Sequence, residues 1–317
     1  MARYLMVRLI SAVPILFLIT ALAFILTTEA RGDPALLALQ QSGQTPTPEL
    51  LEKYRRILGL EDPLPVRYVH WLVGLAHGDL GNSFLTNRPV AEMLGERIVP
   101  TLELGLSALV VSMVAGVTLG VALALSQDGL PGLITRGLAY LIAAAPPFWL
   151  AIGLILLFGT QWRLLPVAGY GSWQQFLLPT LSLAAGPTAA TLRVTRNSVL
   201  DVLGEDYVRT ARAKGLPQMT VVLRHIMRSA SLPVLALSGV RFGHLLAGSV
   251  IIESIFAWPG MGSVLVAAIS GRDLPVIGGY VLLTGVPVVI ANILADLASC
   301  ALDPRVRLGI RAGGSAR

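Results

Sequence analysis

The sequence predicts an all-α integral membrane protein with six transmembrane helices, both termini cytoplasmic, and a small helical extracytoplasmic insertion between helices 1 and 2. Three observations carry that expectation. Hydrophobic residues make up 54% of the 317 and glycine adds another 32 positions, while charged residues are only 13%, about half the usual ~25% share. Too few polar side chains remain to cover a water-facing globule, which excludes an ordinary cytosolic enzyme, a disordered tail and a collagen-like fibre. The charge-free intervals are long enough to cross a bilayer, whose ~30 Å core needs roughly 20 apolar helical residues. Arginine and lysine then concentrate in the segments on one side of those intervals, the seven in the long 29–100 segment being poor voters in the positive-inside rule.

The first interval, Leu9–Thr28, lies between Arg8 and Glu29. Its apolar run exceeds the 7–15 residues of a signal-peptide core, and Thr27-Thr28-Glu29-Ala30 is a poor cleavage site, so it reads as a retained span. Leu104–Gln127 and Gly137–Trp162 follow. Leu164–Leu192 is too long for one crossing and opens with Pro166, Gly169 and Gly171, so the fourth helix is expected to begin near Phe176. The fifth, about Leu232–Ile252, encloses Arg241, and Leu274–Ala295 is the sixth, with Asp296 at its end.

With the N-terminus inside, cytoplasmic segments collect Arg3, Arg8, Arg136 and the tail arginines, and above all Arg193, Arg196, Arg209, Arg212, Lys214, Arg224 and Arg228 after the fourth span. The two short outer loops offer Arg163 and Arg272. The net charge of +6 is therefore an orientation signal, and a nucleic-acid surface is not expected. The single Cys300 allows no internal disulfide.

Three segments organise the chain: 1–28 as N-terminus and first span, 29–100 as an extracytoplasmic helical loop, and 101–317 as a five-helix core that includes a cytoplasmic loop at 201–231. In the outer loop, Thr47-Pro48-Glu49 starts a helix that Gly59 should stop. A second helix is expected over about Pro65–Leu75, a turn at Gly78–Asn82 and a third short helix at Val90–Ile98. About seventy residues bury little core alone, so the loop caps the helix ends, docks a soluble partner, or both. In the cytoplasmic loop, Asp201 is expected to cap a helix running to Lys214, with acids early and Arg212 and Lys214 late, as the helix dipole favours. Gly215 then forms a hinge, and Pro217 opens a second helix holding Val221, Val222, His225 and Ile226. The competing reading is an amphipathic helix lying on lipid headgroups, against which the apolar faces are narrow.

Chemical motifs are sparse. A phosphate-cradling G-x-x-x-x-G-K-[ST] needs a lysine, and neither Lys53 nor Lys214 completes one. H-E-x-x-H, C-x-x-C and G-x-S-x-G do not occur, so neither a catalytic site nor a metal site is assigned. His70 and His77 match no zinc spacing. Gly116–Gly120 and Gly239–Gly243 are G-x-x-x-G patterns suited to close helix packing in lipid. Arg241, His244, Glu253 and Asp296 are the candidate translocation-path residues. A mid-span arginine costs at least ~2.5–3.5 kcal/mol and must face protein or a wet path. Arg241 either lines that path or forms a fixed pair with Asp296.

The run Glu205-Asp-Tyr-Val-Arg-Thr-Ala-Arg-Ala-Lys-Gly215-Leu, closing at Ser231-Leu-Pro233, resembles the signature loop of permease subunits in binding-protein-dependent ABC importers, in the form found in the peptide/nickel family. Similar matches are Leu58-Gly-Leu-Glu-Asp-Pro-Leu-Pro65, Gly78-Asp-Leu-Gly81, Pro100-Thr-Leu-Glu-Leu104, Glu253-Ser-Ile-Phe-Ala-Trp-Pro-Gly260, Arg272-Asp-Leu-Pro-Val276 and Leu302-Asp-Pro-Arg305. One departure is that the broader family's Glu-Ala-Ala triplet falls at Arg209-Thr210-Ala211, which removes an acidic contact to the ATPase.

The resemblance implies a type I importer permease fold and an ATPase-coupling loop made of Glu205, Asp206, Tyr207, Arg209, Ala211, Arg212, Ala213, Lys214, Gly215 and Leu216. It implies a homologous second permease, two ATP-binding subunits that hold ATP and Mg, an extracytoplasmic substrate-binding protein, and membrane lipid around the whole. The expected cargo is di- or oligopeptides, with nickel or a metal chelate as the alternative. Gly169-Tyr-Gly-Ser-Trp173 and Ile255-Phe-Ala-Trp258 resemble nickel permeases, whereas the Glu205–Gly215 loop resembles dipeptide ones. A stand-alone secondary transporter would show internal repeats and buried acids in both halves, and a membrane enzyme would show a catalytic constellation; neither is visible.

Overall fold

The computed structural model describes residues 2–29, 45–57, 59–125 and 145–302, with isolated positions between 35 and 43 and between 132 and 142. The tail arginines and the Asp303–Arg305 part of the last motif lie outside these, as do the side chains of Asp296 and Cys300. Every named element is helical: α1 (Ala2–Glu29), α2 (Pro48–Ile57), α3 (Leu64–Ala76), α4 (Val90–Leu125), α5 (Pro147–Leu154, continued by a wide π-type turn to Gln161), α6 (Trp173–Leu203), α7 (Asp206–Ala213), the broken segment α8 (218–230), α9 (Leu232–Ile255), α10 (Met261–Gly271) and α11 (Leu274–Leu302). Among the described residues, β-type pairing is confined to one bridge, Asn82 with Pro89. Three helices are long and apolar enough to cross a membrane within the described residues: Val90–Leu125, Leu232–Ile255 and Leu274–Ala295. Shorter apolar stretches occur at Ile10–Ile25, Pro147–Gln161 and Met261–Gly271.

Several expected boundaries move, each for a physical reason. The short helix expected at Val90–Ile98 runs unbroken into the second span. Pro100 forfeits one ladder bond there, but Val90 and Leu94 are fully buried and hold the first turns in place. The fourth helix starts at Trp173 rather than near Phe176, because Ser172 and Gln175 form a reciprocal capping box. That helix also runs through Asp201 and ends at Gly204, so Asp201 sits inside it and caps nothing. The helix beyond begins at Asp206, with Glu205 extended at its start. α10 occupies a stretch that the sequence leaves as loop.

The chain forms two compact units: Leu102–Trp258 with residues 1–8 and 288–317, and Leu9–Thr101 with Pro259–Pro287. The first unit centres on Leu104, Ala108, Ala151, Leu178, Leu183, Leu245, Ile252, Phe256 and Trp258. Both G-x-x-x-G patterns mark close approaches in it. A Cβ on Gly116 would sit 2.4 Å from the Thr191 Cβ and 2.9 Å from the Thr188 carbonyl, and one on Gly239 would sit 2.6 Å from the Asn292 Cα. Only glycine permits helix backbones to come this near, which is how packing drives association in lipid.

The second unit is organised differently. Thr101 Oγ1 accepts the Met261 amide at 2.8 Å. Asp273 is 1% exposed and accepts from the Ser83 hydroxyl and from the amides of Phe84 (3.0 Å) and Leu85 (3.3 Å). Ser83 Oγ in turn accepts the Leu85 and Thr86 amides at 3.2 and 3.0 Å. One carboxylate thus closes the whole Ser83–Thr86 turn.

Candidate functional site

The 204–231 loop is built as a seat with a polar outer face. Gly215 adopts φ +76°, a conformation that costs other L-residues roughly 1–2 kcal/mol, and it ends α7 by donating to Arg212. The chain then reverses through Leu216 and Pro217 into α8, whose middle, Val221–Ile226, is a wide turn. From this hairpin Val208, Ala211, Val221, Val222, Ile226 and Ala230 pack with Ala124 and Val199 into one buried cluster. Val208 and Ile226 are completely enclosed.

The expected coupling residues therefore separate into two sets. Ala211 faces inward with Val208 as part of the anchor. Glu205, Asp206, Tyr207, Arg209, Arg212, Ala213, Lys214, Gly215 and Leu216 are exposed. Arg209 lies 3.6 Å from Asp206 across one turn, with both side chains largely in solvent, so their pairing stabilises little. Tyr207, Leu216, Met219 and Leu223 add exposed apolar area to the same hairpin. A helix whose buried face is filled by its own protein and whose outer face mixes charge with apolar tips presents a surface to another molecule.

The four path candidates do not form one cluster. Arg241 is half-buried and donates to Thr191 Oγ1 from the neighbouring α6. Arg193 is close enough to act on it electrostatically. His244 is exposed, and its Nδ1 pairs with the Val240 carbonyl at 2.9 Å. Glu253 has no exposed surface and accepts from Ser249 at 3.1 Å, while its carbonyl holds the Trp258 amide at 2.8 Å. The Arg241–Asp296 pair falls on a side chain outside the described residues. No group of three His, Cys, Asp or Glu suited to a metal ion occurs among the described residues.

Sequence reasoning quoted Gly169–Trp173 and Ile255–Trp258 separately, and the structure brings them together. The Gly169 amide donates to the Phe256 carbonyl at 3.0 Å. The rings of Tyr170 and Trp258 meet edge to face at 4.8 Å. Tyr170 also donates to Glu103 at 2.9 Å, and holding that proton on the phenol raises its pKa above the ordinary value of 10.0. Both motifs thus fasten the 162–172 loop onto buried Trp258. Asp273 is the polar anchor that sequence reasoning missed. Its signal was a lone acid just before Leu-Pro, which reads as an ordinary helix start.

Comparison with known proteins places this helical arrangement in a family. Residues 116–308 match the family described as "Binding-protein-dependent transport system inner membrane component", and residues 1–105 match its N-terminal counterpart. The chain belongs to that family: it is a multi-pass inner-membrane permease subunit of an ABC importer. Among similar proteins is the glutathione transport system permease protein GsiC of Escherichia coli O6:H1, 37% identical over 307 residues, covering 97% of this chain and 99% of the relative. GsiC of Salmonella typhi is 36% identical over the same coverage. Among solved structures, the MetNI methionine ABC transporter in an inward-facing conformation is similar at a TM-score of 0.58 and 16% identity, covering 67% of this chain and 96% of that one. At that identity the likeness concerns the fold.

Proposed function

We propose that this chain is one of two homologous permeases forming the translocation path of an ATP-driven importer for peptide-like cargo. In this reading the chain crosses the membrane six times with both termini inside. Separate ATPase subunits bind ATP and Mg and grip the exposed face of the 204–231 hairpin. The observation that carries the reading is the construction of that hairpin, with an apolar anchor below and a polar, partly apolar face above. ATP binding draws the ATPases together, the hairpin moves as a lever, and the path alternates between outward and inward openings.

Cargo class rests on two supports. The similar permeases are named for glutathione, a tripeptide carrying carboxylates. Within this chain, Arg241 is a cation in the middle of an apolar helix, bonded to Thr191, and a cation there suits a carboxylate-bearing solute. A bare metal cation would be repelled there. The test is uptake into proteoliposomes holding the complete transporter and its binding protein, comparing dipeptides, glutathione and nickel chelates. ATP-dependent accumulation of a peptide or glutathione is expected; accumulation of nickel alone would overturn the cargo assignment.

A further inference from the structure

Two helices of the segment that joins α1 to α4 are built to opposite specifications. α2 (Pro48–Ile57) is a strongly charged helix, with Glu49, Glu52, Lys53, Arg55 and Arg56 in ten residues. α3 (Leu64–Ala76) is apolar almost all round, its polar side chains being Arg67, Tyr68 and His70. One face of α3 is seated on α1: Tyr68 packs against Phe17 and Phe24 at 5.8 and 5.2 Å, and Trp71 against Phe24 at 5.8 Å. The Tyr68 hydroxyl shares a 2.8 Å hydrogen bond with Thr20. Phe17, Thr20 and Phe24 are one stripe of α1. The opposite face of α3 carries Val66, Val69 and Val73, which are 42–55% exposed.

The depth of the seat says what covers them. At ~1.5 Å per residue, Thr20 lies about 13 Å along the helix from Glu29 and about 18 Å from Arg8, well inside a hydrocarbon layer ~30 Å thick. Beside the seat, α1 exposes Ile10, Val13, Leu18, Leu22 and Ile25 at 52–67%, as a lipid-facing helix does. A hydroxyl pair at that depth is satisfied internally, as hydrocarbon demands.

We propose that α3 is a lipid-embedded element, its valine face continuing the lipid-facing surface of α1 and touching acyl chains rather than water. Arg67 is half-buried, and a side chain with a long apolar stem can stay at this depth by reaching its charge to the headgroups. The element stiffens the first span laterally, so that the charged helix α2, which precedes α3, is held at the membrane surface. The inference rests on the six-span reading, because it needs α1 to be a crossing.

The test uses the assembled transporter in lipid nanodiscs, in a Cys300→Ser background, with single nitroxide labels at Val69→Cys and Val73→Cys. Leu18→Cys reports α1, Glu52→Cys reports a water-facing helix, and Val66→Cys substitutes if a valine variant fails to assemble. Labels on α3 should collide with oxygen in preference to a water-soluble nickel chelate by roughly tenfold, because a polar chelate is excluded from hydrocarbon, and should match Leu18. Preference for the chelate at Val69 and Val73, with Leu18 still lipid-exposed, overturns this inference alone. Chelate access at Leu18 overturns the six-span reading and the inference with it. Protection of α3 from both reagents means that a protein subunit covers the face, which also overturns the proposal.

Discussion

Two loops of this permease are fixed by opposite chemistry. The 204–231 hairpin is held by an apolar plug, with Val208, Ala211, Val221, Val222 and Ile226 all packed into one cluster. The Ser83–Thr86 turn is held by one buried carboxylate, Asp273, which with Ser83 satisfies three successive amides. An apolar plug is non-directional and roughly additive in buried area, so the hairpin keeps its internal shape while its seat tilts by small amounts. A hydrogen-bonded clip is directional and close to all-or-none, because each lost partner leaves a buried group unsatisfied. The element proposed to transmit motion is thus held by the tolerant chemistry, and the static turn by the strict one.

The contrast is broken most severely by charging the plug. Val208→Asp places a carboxylate in a fully enclosed site and should cost about 3–5 kcal/mol as an unpaired buried charge. A thermal unfolding scan of the purified complex should show a large loss, accompanied by loss of ATPase subunits on purification. If the variant assembles normally, the hairpin is not anchored by Val208.

Next in size is the clip. Asp273→Ala strands the Ser83 hydroxyl and the Phe84 amide, at about 1–3 kcal/mol for each group that water does not reach, while the Leu85 amide keeps Ser83 Oγ. Limited proteolysis should begin cutting near Ser83–Asn87 while the hairpin remains protected. Asp273→Asn keeps one accepting oxygen and should recover part of the loss. Equal cutting in both variants would show that the carboxylate is not the clip.

Smaller still is Gly215→Val, which forces a β-branched residue to φ +76° at about 1–2 kcal/mol. Stability should change little, but substrate-stimulated ATP hydrolysis and uptake should fall together. Survival of both in the assembled complex would remove the hinge role. The smallest effect is expected from Arg209→Ala. Its partner Asp206 is almost wholly solvent-exposed, so stability should move by less than about 1 kcal/mol, and a change in ATPase coupling would report partner contact.

The long apolar helices ending at Leu125, Ile255 and Ala295 were legible because lipid imposes a strong sequence signal, a long charge-free run, whereas the run expected over Gly137–Trp162 is interrupted by an extended Pro146 and its helix opens only at Pro147. Gly59 and Gly215 were legible as stops because a left-handed residue favours glycine, and both have positive φ. Asp201 misled because a good cap residue followed by apolar positions looks the same whether it opens a helix or interrupts one. Leu200-Asp201-Val202 lies within a helix already propagating from Ser172, and propagation is easier than nucleation. α10 was missed because a short apolar stretch of eleven residues with Gly262, Ser263, Ser270 and Gly271 at its ends resembles a connector. The contact of Tyr68 with Thr20 spans 48 residues, and periodicity within a segment carries no information about such a partner.

The proposed function places the ATPase subunits on the exposed face of the 204–231 hairpin. A photoreactive phenylalanine analogue placed at Tyr207, which is 44% exposed, tests it most directly when irradiated in the assembled transporter in native membranes. A covalent adduct between this chain and an ATP-binding subunit is expected, weakened or shifted when nucleotide is added. Adducts with lipid alone, in a complex that still transports, would contradict it and return the hairpin to the role of a headgroup-bound amphipathic segment.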